Sequence, residues 1–171
     1  MTRSFALGAT LVGALLMWAP VDLPLPTLLV WNASASAPIG LYRVNPLAPL
    51  RTGDRVVVDP PAPVADFLAA RGYLPRRVPL IKAIAAMAPA QVCRDGQAVS
   101  VDGRIVAFAR SRDRRGRALP TWSGCHDLVA DEVFLLTAEA SDSLDGRYFG
   151  ATSKAAIRGV AHPIRVRRSG S

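Results

Sequence analysis

The run Val78-Pro-Leu-Ile-Lys82-Ala-Ile-Ala-Ala-Met87 is the stretch on which the fold turns. Its alanines suit a helix, while its unbroken apolar character between prolines suits a strand buried on both faces. It also carries Lys82, one of only two lysines (the other is Lys154) among 21 Lys+Arg. Elsewhere the chain uses arginine for positive charge, and arginine keeps its proton in a protein. A desolvated lysine can lose its proton and become a base. The plainer reading is a lysine that lays its stem along apolar surface and keeps its ammonium in water. A neutral lysine beside a serine, however, activates a hydroxyl without histidine. The segment Ser34-Ala-Ser36 offers such serines.

Outward from Lys82, the flanking segments read as short strands. Leu28–Trp31 and Leu41–Val44 are two of them, and Gly53-Asp54 is a turn into the β-branched run Arg55–Val58, which ends at the prolines from Pro60 to Pro63. Ala65 to Ala70 allows a turn or two of helix, stopped at Gly72. Gln91–Cys93 is followed by a hairpin of Ala98–Val101 and Ile105–Phe108 around Asp102-Gly103. Arg110 to Arg117 is a charged loop, Glu132–Thr137 a strong strand, and Ile157–Val160 and Ile164–Val166 two shorter ones. Many short strands with frequent turns predict a mostly β sandwich or barrel.

A length of 171 residues predicts one domain with a small appendage. The net charge of +8 raises nucleic acid as a partner. The arginines are spread apart from Arg110–Arg117 and the tail from Arg165 to Arg168, and no aromatic platform interleaves with them. We expect no nucleic-acid partner; the basic character fits an anionic lipid surface or solvated loops. Cys93 and Cys125 are too few for a cysteine metal site, and no metal or other cofactor is expected. They are a possible disulfide in an exported domain and two ordinary thiols in a cytosolic one.

Phe5 to Ala19 is an uncharged apolar run behind Arg3. It reads as an export signal with the N-terminus inside, followed by a proline-punctuated stalk to Pro26. Small-x-small sites at Ala33–Ala35 and Ala35–Ala37 lie far beyond that run, which favours an uncleaved anchor over a cleaved signal peptide. The expected organisation is an anchor and stalk over 1–26 and an extracytoplasmic domain over 27–171.

Four segments in order resemble the S26 signal peptidases, the serine–lysine membrane proteases of bacterial export. They are Ser34-Ala-Ser36-Ala-Pro38, Gly53-Asp54-Arg-Val-Val-Val58, Leu80-Ile-Lys82-Ala-Ile-Ala-Ala and Asp142-Ser143-Leu-Asp145-Gly-Arg147-Tyr-Phe-Gly150. The spelling Asn32-x-Ser34-x-Ser36-x-Pro38-x-Gly40-Leu41-Tyr42, with Gly116-Arg-x-Leu-Pro120 and Trp122-Ser-Gly-Cys125, is similar to the conjugative-transfer, TraF-type branch that matures pilin subunits. Ala83 after the lysine and Pro38 only two residues after Ser36 depart from the general signal peptidase pattern.

The resemblance implies an S26-like β catalytic domain of short strands behind an N-terminal transmembrane helix. It implies Ser36 as nucleophile, Lys82 as base, Ser34 as an oxyanion donor, Ser143 and Asp145 as supports that orient the lysine, and Arg147 as an ion-pair partner. The implied location is the inner membrane, single-pass, with the catalytic domain in the periplasm and lipid contacted by the N-terminal helix. The implied substrate is a pilin-like precursor protein, cleaved or cyclised, an alternative the sequence leaves open. A general signal peptidase and a non-enzymatic exported pilus or secretion subunit are the other readings. His126 and His162 have no acidic partner at suggestive spacing and read as structural or exposed; Asp131 and Glu132 read as strand-edge charges.

Overall fold

The structure, a computed structural model, describes residues 29–34 and 36–167. The expected anchor over 1–26 therefore lies outside the described residues. None of the described helices is long and apolar enough to cross a membrane.

The strands, in chain order, are β1 (Leu29–Asn32), β2 (Gly40–Asn45), β3 (Arg55–Val58), β4 (Leu80–Met87), β5 (Gln91–Asp95), β6 (Ala98–Val101), β7 (Arg104–Phe108), β8 (Gly124–Asp127), β9 (Glu132–Leu136), β10 (Thr152–Ser153) and β11 (Ile157–Val166). Among the described residues two α-helices interrupt them, α1 (Ala62–Ala70) and α2 (Gly146–Phe149), with a 3-10 turn at Lys154–Ala156. A seven-stranded antiparallel sheet runs β1-β2-β11-β3-β4-β9-β10, and a four-stranded one runs β7-β6-β5-β8.

The Lys82 segment is β4, paired with β3 on one side and β9 on the other. Its central place explains the sequence ambiguity. Ile81 joins Tyr42, Val44 and Val57 in one core cluster, while Ile84 joins Val56, Val58, Val133 and Leu135 in another. With apolar partners on both faces, the strand has no polar side to alternate with. The four-stranded sheet packs Val92 and Val99 against Phe134, Leu136 and Tyr148, so a third cluster joins the two sheets.

Several segments differ from the sequence reading. The two short C-terminal strands form one strand, β11, which pairs with β3 and then β2 and absorbs Pro163 at a register shift. Proline is tolerated at such irregularities because no ladder donor is needed there. Helix α1 starts at Ala62, with proline in its first turn, where a missing N–H costs nothing. Strand β8 has no β-branched residue to announce it; it is held by pairing with β5. Gly40 lets β2 lie against β11, since a Cβ there would stand 2.1 Å from the Arg165 carbonyl oxygen.

Candidate active site

Ser34 and Ser36 lie on the turn between β1 and β2, and Asn32 at the end of β1 shapes it. Its amide Nδ2 donates to the carbonyls of Ser34 (2.9 Å), Ala37 (2.9 Å) and Pro38 (3.2 Å). Its Oδ1 accepts from the Ser34 backbone N–H (3.2 Å) and hydroxyl (3.0 Å). Tyr42, fully buried, adds a 2.7 Å bond from its hydroxyl to the Pro38 carbonyl. The Ser34 and Ser36 hydroxyl oxygens are 3.0 Å apart. Because Ser34 has one hydroxyl proton and Asn32 Oδ1 can only accept, Ser36 is the donor between the two serines.

Lys82 is 3% exposed, and its Nζ donates to Ser143 Oγ at 2.7 Å. Burial pushes its pKa from 10.5 down to about 8, a fall that the attraction of Asp145 and Asp142 opposes and Arg147 reinforces. The burial arises from position in the sheet: Lys82 stands opposite Val56, in the middle of the β3–β4 ladder.

Ser143 is linked to the Asp145–Arg147 pair through the Ala140 carbonyl. Both side chains are essentially inaccessible, with Arg147 Nη2 2.8 Å from Asp145 Oδ2 and Nε 2.9 Å from Oδ1. Arg147 Nη2 also donates to the carbonyls of Thr137 (2.9 Å) and Ala140 (2.7 Å), while Asp145 accepts from the Thr137 N–H (3.0 Å). Ser143 N–H donates to that same Ala140 carbonyl at 3.0 Å. A buried ion pair is tolerable when further hydrogen bonds support it, and here Thr137 and Ala140 supply three. Gly146 is required between the pair, because a Cβ would fall 2.6 Å from the Phe134 ring.

A cleft of about 440 Å³ brings Ser34, Ser36, Lys82 and Ser143 to one surface, with Asn32 at its edge. Asp145 lies behind, lining with Lys82 a smaller cavity of about 50 Å³. Ser36 Oγ bonds to Ser34 and Lys82 Nζ to Ser143, and among the described residues no hydrogen bond joins Ser36 to Lys82. Cys93 and Cys125 do not line the cleft; they face each other across β5 and β8 and are bonded, with Cα atoms 4.0 Å apart.

The sequence reading missed three supports. Asn32 was visible in the Asn-x-Ser-x-Ser run, but its amide's bonds to the turn were not. Arg94, 4% exposed, donates to the Arg147 carbonyl at 2.6 Å and braces the pair from below. Trp122 Nε1 donates to the Gly146 carbonyl at 3.0 Å, which ties the Trp122-Ser-Gly-Cys125 segment to the Asp145 turn. His126 is exposed, as expected, but has an acidic partner that spacing did not suggest: its Nε2 lies 2.7 Å from Glu132 Oε2 on β9. That pair lies outside the cleft lining.

The family model for signal peptidase, peptidase S26, matches residues 2–165. The probable conjugal transfer protein TraF of Sinorhizobium fredii (strain NBRC 101917 / NGR234) is 35% identical over 143 residues, spanning 78% of this chain and 74% of that protein. A plasmid transfer protein TraF of Escherichia coli is 30% identical over 143 residues, spanning 78% and 80%. A signal peptidase I from Enterococcus faecalis V583 has a TM-score of 0.38 at 15% identity, covering 66% of this chain and 97% of that one. With a family model matched from residue 2 to residue 165 and TraF relatives aligned over 78% of its length, this chain belongs to the S26 signal peptidase family as a TraF-type member.

Proposed function

We propose that the chain is a membrane-anchored serine peptidase that acts outside the cytoplasm on a pilin-like precursor, with Ser36 as nucleophile and Lys82 as base. The observation that carries this reading is Lys82: a buried lysine with a pKa of about 8, fixed by Ser143, in the same cleft as Ser34 and Ser36. At pH 7 roughly a tenth of such a lysine is neutral and able to accept a proton.

In the proposed reaction the Ser36 Oγ–H proton passes to neutral Lys82 Nζ while Oγ bonds to the scissile carbonyl carbon. The carbonyl oxygen becomes an oxyanion, for which the Ser36 backbone N–H and Ser34 hydroxyl are the donors. Ser34 must release Asn32 Oδ1 to donate, since it has one proton. Collapse breaks the C–N bond, and Lys82 returns its proton to the leaving amine. The acyl-enzyme is resolved either by water, giving a free carboxylate, or by the precursor's own amine, giving a ring. Which one wins depends on which nucleophile is held closer, a matter of effective molarity. The relatives' names, conjugal and plasmid transfer proteins, support a place in conjugation. The apolar run Phe5 to Ala19 behind Arg3 supports the anchor and the orientation.

The test is the intact mass of a candidate pilin precursor co-produced with wild type, Ser36→Ala or Lys82→Arg. Shortening with wild type alone supports the reading, and a product lighter by one further water identifies ring closure. Shortening with all three proteins refutes the Ser36–Lys82 assignment. Broad shortening of exported proteins instead of the pilin would point to a general signal peptidase.

A further inference from the structure

The arginine-rich loop is built differently from a solvated charge run. Asp113 inside it is surrounded by donors: the Tyr73 hydroxyl, the backbone N–H groups of Arg115 and Arg117 at 2.8 Å, and Arg117 Nε at 2.7 Å. Arg117 also donates to the Arg71 carbonyl, and Arg71 Nη1 donates back to the Ala118 carbonyl, each at 3.1 Å. These bonds clamp the loop against the chain just after α1. Between the two runs lies a cavity of about 290 Å³ lined by six arginines, Arg71, Arg110, Arg112, Arg114, Arg115 and Arg117, and by two carboxylates, Asp113 and Asp142.

Its charge is only partly compensated, since six arginines face two carboxylates. Arg117 pairs with Asp113, and Arg114 with Asp142 at 2.5 Å in an exposed contact. Arg71, Arg110 and Arg112 donate only to neutral oxygens, those of Ala118, Ser141 and Gly116. Among the described residues no carboxylate pairs with any of these three or with Arg115. The planar guanidinium fork matches a carboxylate with two parallel hydrogen bonds.

This cavity shares Tyr73, Asp142 and Leu144 with the cleft that holds Ser36 and Lys82. The two cavities therefore adjoin at a common wall. We propose that the arginine cavity is a subsite for an acidic residue, Asp, Glu or a terminal carboxylate, of the peptide being processed. Its place beside the scissile bond rests on the peptidase reading; its preference for carboxylates does not. The Arg114–Asp142 pair at the shared wall is the contact an incoming carboxylate exchanges with, because an exposed pair of this kind is weakly held.

The test is binding rather than turnover. Full-length protein in nonionic detergent is titrated into a fluorescein-labelled Gly/Ser peptide carrying two adjacent glutamates, and into its glutamine counterpart. The glutamate peptide is expected to bind roughly tenfold more tightly at low salt, with the advantage shrinking as salt rises. Arg110→Gln/Arg115→Gln should abolish the discrimination. Arg104→Gln/Arg165→Gln, an equal loss of charge away from the cavity, should keep it. Arg115→Gln alone, whose side chain makes no charged contact, should lower it and guards against misfolding of the double variant. Equal affinity for both peptides overturns the proposal, as does equal loss in the two double variants. Binding to phosphatidylglycerol vesicles in place of peptide, lost on Arg110→Gln/Arg115→Gln, would make the cavity a lipid site and also overturn it. Failed precursor processing alongside retained glutamate selectivity would sink the peptidase reading alone.

Discussion

Replacing Lys82 by methionine should make the protein more stable at neutral pH and less stable at high pH. Lysine in the unfolded chain titrates near 10.5, and burial brings Lys82 to about 8 in the folded protein. Below about pH 8 the folded state carries the whole penalty of a buried ammonium, about 3 kcal/mol at 1.36 kcal/mol per pH unit. Methionine keeps an unbranched stem without the charge, and leaves Ser143 Oγ without its 2.7 Å donor, a loss of about 1 kcal/mol. The variant should therefore lead by about 2 kcal/mol near pH 6 to 7. From about pH 8 to 10.5 the unfolded wild type binds more protons than the folded one, so wild-type stability climbs relative to the variant. Above about 10.5 the lysine is neutral in both states and the order reverses, with wild type ahead by about 1 kcal/mol. Urea midpoints of both full-length proteins in detergent, compared at four pH values across this range, give the difference directly, since the other titrating groups cancel. A difference that does not change with pH, or a variant less stable at pH 6, would refute the argument that burial depresses this lysine.

Ser34→Ala should lower kcat by about 10²–10³-fold with little change in unfolding midpoint, because the loss is of one oxyanion donor; near-normal turnover removes Ser34 from that role. Asp145→Ala leaves the Arg147 guanidinium buried without its partner and should lower stability by about 3–5 kcal/mol, read in chemical denaturation. Cys93→Ser/Cys125→Ser opens a loop of sequence separation 32 and should lower stability by about 3–4 kcal/mol while precursor processing continues under native conditions. Peptidase kcat/KM should rise with pH through about 8 as Lys82 loses its proton; a profile flat between pH 6 and 9 would argue for a different base.

Leu41–Val44, with one exposed and one buried side, could be read from the sequence, and the β6–β7 hairpin from its Asp102-Gly103 turn. The Lys82 segment could not be resolved between helix and strand because both of its faces are covered, which erases the period that separates the two. Strand β8 owes its form to the distant β5 ladder, and helix α2 to its adjacent Asp145 cap and to its close approach to Phe134 at Gly146. The residues gathered in the cleft were legible in three of the four motifs, those of Ser36, Lys82 and Ser143. Their supports were not: Arg94, 53 residues from the carbonyl it holds, leaves no local trace.

The site also divides its parts by mobility. Lys82 sits mid-ladder against β3 on a strand that also pairs with β9 from Ala83 onward, so its amide should exchange with solvent only when the β3–β4 ladder opens. Ser36 rides on a turn after the edge strand, kept in shape by the fan of bonds from one asparagine amide. Its backbone can loosen while the sheet stays intact. Any adjustment that brings hydroxyl and amine together is then made by the serine's side of the cleft, with the lysine as the stationary reference.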